Sequence, residues 1–329
     1  MVLKSAIIHR INKARYQSSS LNLRKQELNI TNESLIRLID EVRGLYERTG
    51  KARGVFEDNN DSYPFQRMVE RFLDKKVDFV QFSSGAMMHF KETADDVNLA
   101  TGGYVLFVLY EEKPNLFLMV VMLNDITGTA IDKESLEVKE IMHLETKHLH
   151  LAARLNITFW KGEEQKQYLS FIKGRGAGDI SRYFLDFIGC KNYSNSQQQT
   201  RILRDAIDNY CKTHEISQDK KQEIRKKIYD HCEEKRKERK PVTLETISRL
   251  VDDENPEAFL IYANSEEVGL SDTFDPDQRV MKSFQLFTLQ RQGVKLLFNR
   301  DLLGTEVILE DDRLILTEIP QEWIEQLRD

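Results

Sequence analysis

The chain has 329 residues, of which 40% are apolar and 31% are charged, and its formal net charge is −6. This length exceeds that of most single domains, so we expect two domains, each with a packed core. The negative net charge argues against a strongly basic protein that covers DNA, because neutralising phosphates requires clustered Lys and Arg. Any role on nucleic acid must depend on local basic patches.

Three widely spaced cysteines lack the paired spacing of a zinc site or a disulfide framework: Cys190, Cys211 and Cys232. We interpret them as reduced thiols of an intracellular protein. The N-terminus lacks the apolar core of a signal peptide. The longest apolar stretch, Leu116–Leu123, has eight residues, far fewer than a membrane span requires. We therefore expect a cytoplasmic protein without membrane contact.

The first part of the chain mixes strand and helix patterns. Residues 6–11 predict a first strand, and apolar residues at helical spacing over 35–46, behind capping residues, predict a helix. A second helix is predicted from Phe65 to Val80. The runs 103–110 and 116–123 are apolar and are joined by a short turn, which predicts an antiparallel hairpin buried on both faces.

Further strands are predicted at 140–144 and 149–159. Together these elements indicate an α+β fold, in which residues 1–165 form a domain with a helix-covered, central antiparallel sheet. Residues 166–329 are assigned to a second domain, a helical segment followed by a small C-terminal α+β part that ends in a β-hairpin.

Two helices are predicted in the second domain. Leu203, Ile207 and Tyr210 mark the first, and residues 224–232 mark the second, which stops before Pro241. Strands are predicted at 294–298, 307–309 and 313–317.

The charge changes sign along the second domain. Residues 241–278 contain ten Asp or Glu and one Arg, whereas 279–300 contain five Lys or Arg and no acid. The acidic segment is compatible with an ordinary exposed face, with attraction to the basic segments, or with shaping the field near DNA.

A glycine-rich turn at 173–178 carries two cations, Lys173 and Arg175, between two aromatic runs. Glycine allows close backbone approach, so the turn admits a phosphate site without requiring one. It is not a P-loop, in which the Lys follows the glycines and precedes Ser or Thr, and it lacks the dinucleotide spacing GxGxxG. The turn gives no support for a nucleotide enzyme.

The helix predicted from about Ser217 to Arg239 is the most basic element. Its cations surround the apolar stripe formed by Ile224, Ile228 and Cys232 instead of forming one strip. A solvated helix with flexible lysines and a DNA-contacting helix therefore remain open. The cluster at 235–240 is denser in Lys and Arg, although three glutamates dilute it.

Three histidines lie close together in the sequence: His143, His148 and His150. Alternate residues of a strand share one face, which would place His148 beside His150. The sequence supplies no convincing carboxylate to complete a metal site. We therefore interpret them as solvated or core histidines and predict no metal and no cofactor.

Four motifs stand in order along the chain: Gly102–Phe107, Tyr168–Arg175, Tyr183–Gly189 and Leu296–Gly304. Together they resemble the bacterial nucleoid-associated protein family known as NdpA or YejK, and the resemblance covers essentially the whole chain. It implies a cytoplasmic, nucleoid-localised and DNA-associated protein without an established catalytic activity. The family pattern carries further basic residues after Arg175, where this chain has Gly176–Asp179.

Two functions remain open at this point. The first is a non-enzymatic protein that binds double-stranded DNA through phosphate contacts with little sequence preference. The second is an adaptor that reaches the nucleoid by holding a DNA-bound protein. A hidden enzyme using the His148 region is a weaker alternative, and a homodimer is compatible with the apolar helices. The candidate DNA-contacting residues are Lys173, Arg175, Arg182, Lys220, Lys221, Arg225, Lys235, Arg236, Lys237, Arg239 and Lys240.

Overall fold

Backbone contacts divide the chain into two units. The computed structural model describes residues 1–59, 61–97, 101–131, 134–145, 148–162, 167–172, 178–192 and 195–328. The first unit contains Met1–Ser194 together with Asn264–Asp272, and the second contains Asn195–Ala263 and Thr273–Asp329. This division differs from the boundary near residue 165 predicted from the sequence, because the strand that follows this point pairs within the sheet of the first unit.

Within the described residues the strands of the first unit are β1 (Val2–Asn12), β2 (Ser20–Asn22), β3 (Ala52–Phe56), β4 (Gly103–Glu112), β5 (Asn115–Leu123), β6 (Asp125–Ile131), β7 (Val138–Leu144), β8 (Leu151–Asn156), β9 (Leu169–Ile172) and β10 (Cys190–Asn192). Eight of them form one sheet in the order β10-β3-β9-β8-β5-β4-β1-β2. Every neighbouring pair in it is antiparallel. β6 and β7 form a separate hairpin. The predicted α+β class is confirmed.

The β4–β5 hairpin is the apolar centre of this sheet. Alternate residues of a strand point to opposite faces. Accordingly, Val105 and Phe107 belong to one core cluster, whereas Leu106 and Val108 belong to another. Both clusters are buried, which explains why the two strands read as continuous apolar runs. The predicted hairpin is confirmed.

Helices cover both faces of the sheet: α1 (Glu33–Arg48), α2 (Phe65–Leu73), α3 (Phe79–Asp95), α4 (Ile157–Lys161) and α5 (Gly178–Ile188). The buried stripe of α1, from Leu35 to Tyr46, joins the cluster that contains Leu106. Residues of α2, α3 and α5 join the cluster that contains Phe107. The sheet therefore lies between two helical layers.

The prediction of one helix from Phe65 to Val80 is wrong, since α2 ends at Leu73 and α3 begins at Phe79. Lys75 has a φ of 58°, in the left-handed region that interrupts a helix. Asp78 then starts α3 with a capping box, in which its carboxylate accepts from the Gln81 backbone N–H at 2.7 Å.

The strand predicted at 149–159 is too long, because β8 ends at Asn156. The Asn156 side chain accepts a hydrogen bond from the backbone N–H of Phe159 at 3.0 Å. This is the N-cap interaction that starts a helix, and α4 follows directly.

Within the described residues, the second unit has the helices α6 (Ser196–Thr213), α7 (Gln218–Glu238), α8 (Leu244–Val251), α9 (Pro256–Ala263), α10 (Gln278–Gln285) and α11 (Gln321–Gln326). Its strands are β11 (Val242–Thr243), β12 (Thr273–Phe274), β13 (Leu286–Arg291), β14 (Val294–Asn299), β15 (Val307–Glu310) and β16 (Arg313–Leu316), with a short 3₁₀ helix at Arg300–Leu302. β13–β14 and β15–β16 are antiparallel hairpins. The two predicted helices and the terminal hairpin are present, and α11 follows the hairpin.

The predicted apolar stripes of this unit are buried. Leu203, Ile207 and Tyr210 of α6 are at most 3% exposed, and Ile224 and Ile228 of α7 at most 1%. The three cysteines are also buried, and none forms a disulfide. None of the helices in the described ranges is both long and apolar enough to span a bilayer.

A network of buried charges binds residues 264–272 to the sheet of the first unit. Arg154, on β8, places its guanidinium 2.7 Å from the Glu266 carboxylate and also pairs with Glu47 of α1. Arg53, on β3, lies 3.6 Å from the same Glu266 carboxylate. Its guanidinium also donates to the Asn264 and Ser265 carbonyls at 2.6 and 2.7 Å. Burial opposes the ionised form of Glu266, but the two arginines outweigh it and lower its pKa.

Backbone contacts at Lys51 complete this attachment. The Asn264 side chain accepts from the Lys51 N–H at 2.9 Å and donates to the Lys51 carbonyl at 3.0 Å. The Asp272 N–H donates to the same carbonyl at 2.9 Å. The ammonium of Lys51 is itself buried and donates to the carbonyls of Tyr46, Glu47 and Thr49 at the end of α1. Segment 264–272 is thus held through its backbone groups, through the Asn264 side chain and through the Glu266 carboxylate.

Replacing Glu266 tests the importance of this network. We expect Glu266→Gln to lower the free energy of unfolding by about 3 kcal/mol, because it leaves buried guanidiniums without their shared counter-charge. The neighbouring Glu267 is exposed, so Glu267→Gln should change stability by less than about 0.5 kcal/mol. Urea unfolding followed by circular dichroism measures both, and equal effects would contradict the assigned role.

A second buried polar group, His9 of β1, is held in its neutral form. Its Nδ1 accepts from the Arg24 N–H at 3.1 Å, and its Nε2 lies 2.9 Å from the Ser83 hydroxyl. The Ser83 hydroxyl donates to the Val80 carbonyl at 3.1 Å, so Nε2 must be the donor to Ser83. A second ring proton, on Nδ1, would face the Arg24 N–H, which is also a donor, so the charged form of the ring is disfavoured. Burial lowers the pKa of His9 to about 4.

Acid should therefore destabilise the fold through His9. An unfolded histidine takes up its proton near pH 6.5, but folded His9 does so only near pH 4. The contribution of His9 to the free energy of unfolding is therefore fully present above pH 6.5 and is lost as the pH decreases from 6.5 to 4. We expect His9→Gln to remove this part of the pH dependence, whereas His148→Gln, at an exposed histidine, retains it. Urea midpoints measured from pH 4 to 8 give the comparison. Parallel curves for wild type and His9→Gln would refute the prediction.

Candidate nucleic-acid interface

The basic helix α7 begins and ends where the sequence predicts. The Ser217 hydroxyl caps its N-terminus by accepting from the Lys220 N–H at 3.4 Å. Arg239 forms the C-cap with a φ of 56°, and its N–H donates to the Arg236 carbonyl at 3.1 Å. The N–H of Lys240 donates to the Lys235 carbonyl at 3.0 Å. This left-handed cap ends the helix one residue before Lys240 and two before Pro241.

Two of the candidate cations hold α7 against α6. Arg225 is 7% exposed, and its guanidinium pairs with the Asp208 carboxylate of α6. Lys221 places its ammonium 3.3 Å from the same carboxylate, and its side chain is 18% exposed. Arg225 and Lys221 are therefore placed to stabilise the packing of two helices, and Arg225 presents little surface to an external phosphate.

Lys220 lies on the solvent side of α7, but it shares a carboxylate. The Glu223 side chain lies 3.2 Å from the ammonium of Lys220 and 2.6 Å from that of Lys227. The hydrogen bonds from Lys227 and Lys220 lower the pKa of Glu223. These are exposed pairs along one helix, which contribute little to stability and exchange readily with other anions.

The C-terminal turn of α7 holds the densest cation cluster in the described part of the chain. Three of its cations have carboxylate partners: Lys235 lies 2.9 Å and Lys240 3.4 Å from Glu238, and Arg236 lies 2.8 Å from Glu233. Lys237 and Arg239 are exposed, and no carboxylate among the described residues lies within ion-pair distance of them. Cations also stabilise a helix C-terminus through its dipole. We call residues 235–240 the basic tip.

The other candidate cations are not described at the level of side chains. Lys173 and Arg175 lie outside the described residues. Arg182 belongs to α5, but its side chain also lies outside them. Their role as phosphate contacts stays a prediction.

The acidic segment 241–278 is divided between the two units. Its residues 264–272 belong to the first unit, where Glu266 is part of the buried network. Among the described residues, the ion pairs of α7 involve Asp208, Glu223, Glu233 and Glu238, all outside this segment. At least one of its acids therefore has a structural task that composition does not reveal.

The histidines have a carboxylate neighbour that the sequence analysis did not identify. Glu145 lies 3.6 Å from Nδ1 of His148 and 3.3 Å from Nε2 of His150. Both histidines are exposed, and the side chain of His143 is not described. Within the described ranges, no group of three His, Cys, Asp or Glu is arranged to hold a metal ion.

One cation missed in the sequence analysis is Arg300. Its guanidinium lies over the Phe287 ring, 3.9 Å from the ring centroid, and its Nε donates to the Ser283 carbonyl at 3.0 Å. The available signal was its place in the acid-free segment 279–300. Its proximity to α7 depends on tertiary packing, which no local pattern encodes.

Comparison with known proteins defines the class to which this chain belongs. A family model described as nucleoid-associated protein YejK matches residues 7–323. The chain therefore belongs to this family, and the resemblance carried by the four ordered motifs is confirmed.

Individual relatives match over their full length. A nucleoid-associated protein of Pseudomonas aeruginosa (strain UCBPP-PA14) is 33% identical over 332 residues, which covers 100% of this chain and 98% of the relative. One from Pseudomonas entomophila (strain L48) is 33% identical over 333 residues, with coverage of 100% and 99%. One from Azotobacter vinelandii (strain DJ / ATCC BAA-1303) is 32% identical over 333 residues, with coverage of 100% and 98%.

Proposed function

We propose that this protein is a non-enzymatic, nucleoid-localised protein of the bacterial cytoplasm that binds duplex DNA without a cofactor or metal. It contacts DNA mainly through phosphates and with little sequence preference. The observation that carries this proposal is the basic tip, where Lys237 and Arg239 are exposed and have no carboxylate partner among the described residues. Membership of a nucleoid-associated family supports the same function.

The contacts are electrostatic and few. Lys235 and Lys240 can exchange the exposed Glu238 carboxylate for phosphate, because exposed pairs contribute little energy in water. Arg236 has exposed surface of its own beside its half-buried partner Glu233. Lys220, Lys173, Arg175 and Arg182 extend the proposed interface. Arg225 and Lys221 are left out of it, because Asp208 already holds both. A small number of phosphate contacts predicts moderate affinity that decreases with salt.

Charge reversal at the basic tip tests the proposal. We expect Lys237→Glu with Arg239→Glu to weaken duplex binding and to reduce the slope of log K against log salt by about 2, since each phosphate contact contributes about 0.9. Fluorescence anisotropy at several salt concentrations measures both. Lys173→Glu with Arg175→Glu tests the glycine turn in the same way.

Lys212→Glu is the matched control for the basic tip, because Lys212 is an exposed cation in the last turn of α6. It changes the charge at another helix C-terminus and should leave the slope unchanged. Wild-type protein that is folded but does not bind DNA near physiological salt would overturn the direct-binding proposal.

That outcome would favour the second candidate function, an adaptor recruited to the nucleoid by a DNA-bound protein. The net charge of −6 and the pairing of most α7 cations with carboxylates support this alternative. In that case, co-sedimentation with DNA would require an added partner protein and would be insensitive to the changes at the basic tip.

We further propose that the protein forms a homodimer through its two C-terminal hairpins. Val294 and Leu297 of the β13–β14 hairpin are 53% and 58% exposed, and Leu309 of the β15–β16 hairpin is 62% exposed. Residues 286–299 carry two cations and no acid, whereas 306–327 carry seven acids and one Arg. The basic apolar hairpin of one copy is therefore complementary to the acidic apolar hairpin of a second.

A mass measurement tests this assembly. We expect light scattering to give twice the 38.6 kDa of one chain. Leu297→Asp should halve the mass, because it places a carboxylate in the apolar contact facing acidic residues. Met142→Asp, at an exposed position of the β6–β7 hairpin, is the control and should remain dimeric. A wild-type monomer, or a dimer unaffected by Leu297→Asp, would contradict the proposed interface.

A further inference from the structure

A cleft in the second unit contains a cation, Arg300, that has no carboxylate partner among the described residues. It has a volume of about 380 Å³ and lies between α7, α10 and the end of β14. This volume falls in the range of small-molecule sites. Its walls include Lys226 from α7, Phe284 from α10, and Asn299 and Arg300 at the end of the hairpin.

The Arg300 guanidinium is positioned so that its terminal nitrogens remain available. One face of the guanidinium lies over the Phe287 ring, 3.9 Å from the ring centroid, and its Nε donates a hydrogen bond to the Ser283 carbonyl. The Arg300 carbonyl accepts from the Gln222 side chain of α7 at 3.1 Å, which fixes the backbone beside the cleft. Among the described residues, no carboxylate lies within ion-pair distance of the guanidinium.

The surroundings of Arg300 increase the need for a counter-ion. Burial is the main cause that lowers the pKa of Arg300, to about 10, and the nearby charge of Arg225 adds to it. Asp208 acts in the opposite direction, but its carboxylate is already paired with Lys221 and Arg225. A partly buried charge without a partner is costly, and binding an anion removes this cost.

Two acidic residues also line the cleft, and they differ in their effect. Glu223 is engaged by Lys220 and Lys227. Asp301 is exposed and no ion pair is formed by its side chain within the described part of the chain. Lys226 is exposed and likewise has no ion-pair partner there. Arg300 and Lys226 therefore attract an anion, while Asp301 opposes it.

We propose that this cleft is a binding site for a phosphate group, held by the terminal nitrogens of Arg300 and by Lys226. Arginine presents parallel N–H donors that match the oxygens of phosphate. The phosphate comes either from a nucleic acid backbone or from a free phosphate compound. The first source deepens the proposed DNA binding, and the second is independent of it.

Inorganic phosphate is the probe for the site. Thermal unfolding of the full chain should shift to higher temperature with phosphate, compared with sodium chloride at equal ionic strength, because a ligand that binds only the folded state stabilises it. Arg300→Gln and Lys226→Gln should each raise the apparent Kd by at least about tenfold, the effect of losing one charged hydrogen bond. Asp301→Asn should lower it.

Controls separate the site from general charge effects and from misfolding. Arg313→Gln removes an exposed cation from another hairpin and should leave the apparent Kd unchanged. Lys226 is exposed, so Lys226→Gln reports on the cleft even if Arg300→Gln does not fold. Absence of a phosphate-specific shift in the wild type, or an unchanged Kd in Lys226→Gln and Asp301→Asn, would overturn the site.

Duplex DNA titrations with the same variants identify the source of the phosphate. Weaker DNA binding by Lys226→Gln and Arg300→Gln, alongside weaker phosphate binding, assigns the site to the DNA backbone. Unchanged DNA binding with weaker phosphate binding assigns it to a free phosphate compound. If the folded wild type does not bind DNA near physiological salt while the cleft variants lose phosphate binding, the proposed function fails and the cleft site stands.

Discussion

The buried ion pairs of Arg53 and Arg154 with Glu266 are the interaction on which the first unit depends most. Both arginines extend from strands of the main sheet, and the carboxylate is contributed by a segment more than a hundred residues later in the chain. Without that carboxylate both guanidiniums would lose a counter-charge and Arg154 would depend on Glu47, which is unfavourable for charges buried in the protein interior. Folding of the sheet and attachment of residues 264–272 are therefore coupled, which joins regions that are distant in sequence.

Charge compensation also governs the candidate interface. The sequence of α7 shows many cations, yet carboxylates within the second unit neutralise most of them locally. Asp208 of α6 engages two cations of α7 in a partly buried contact, whereas Glu223 and Glu238 engage theirs in exposed pairs. The first kind of pair stabilises helix packing, and the second kind can be exchanged for phosphate. Burial, more than the number of Lys and Arg, therefore separates structural from available cations along this helix.

Local patterns predicted the elements whose signals lie within the element itself. The buried hairpin β4–β5, the apolar stripe of α1 and the limits of α7 all follow from residue type and spacing. The failures occurred where a short polar interaction decided the outcome. Asp78 restarts a helix after Lys75, and Asn156 ends β8 by capping α4. A capping hydrogen bond changes the backbone at one residue, which an average over several residues does not detect.

The sequence by itself determined the family, the α+β class and the presence of a basic helix, since ordered motifs and hydrophobic periodicity are properties of residue order. Only the tertiary structure decided that Arg225 pairs with Asp208, that Glu266 is the buried counter-charge of two arginines in the first unit, and that Arg300 lies beside α7. These three outcomes depend on which charges become neighbours after folding and on how much water remains around them. Distance and burial set the strength of such interactions, and neither quantity is written in the order of residues.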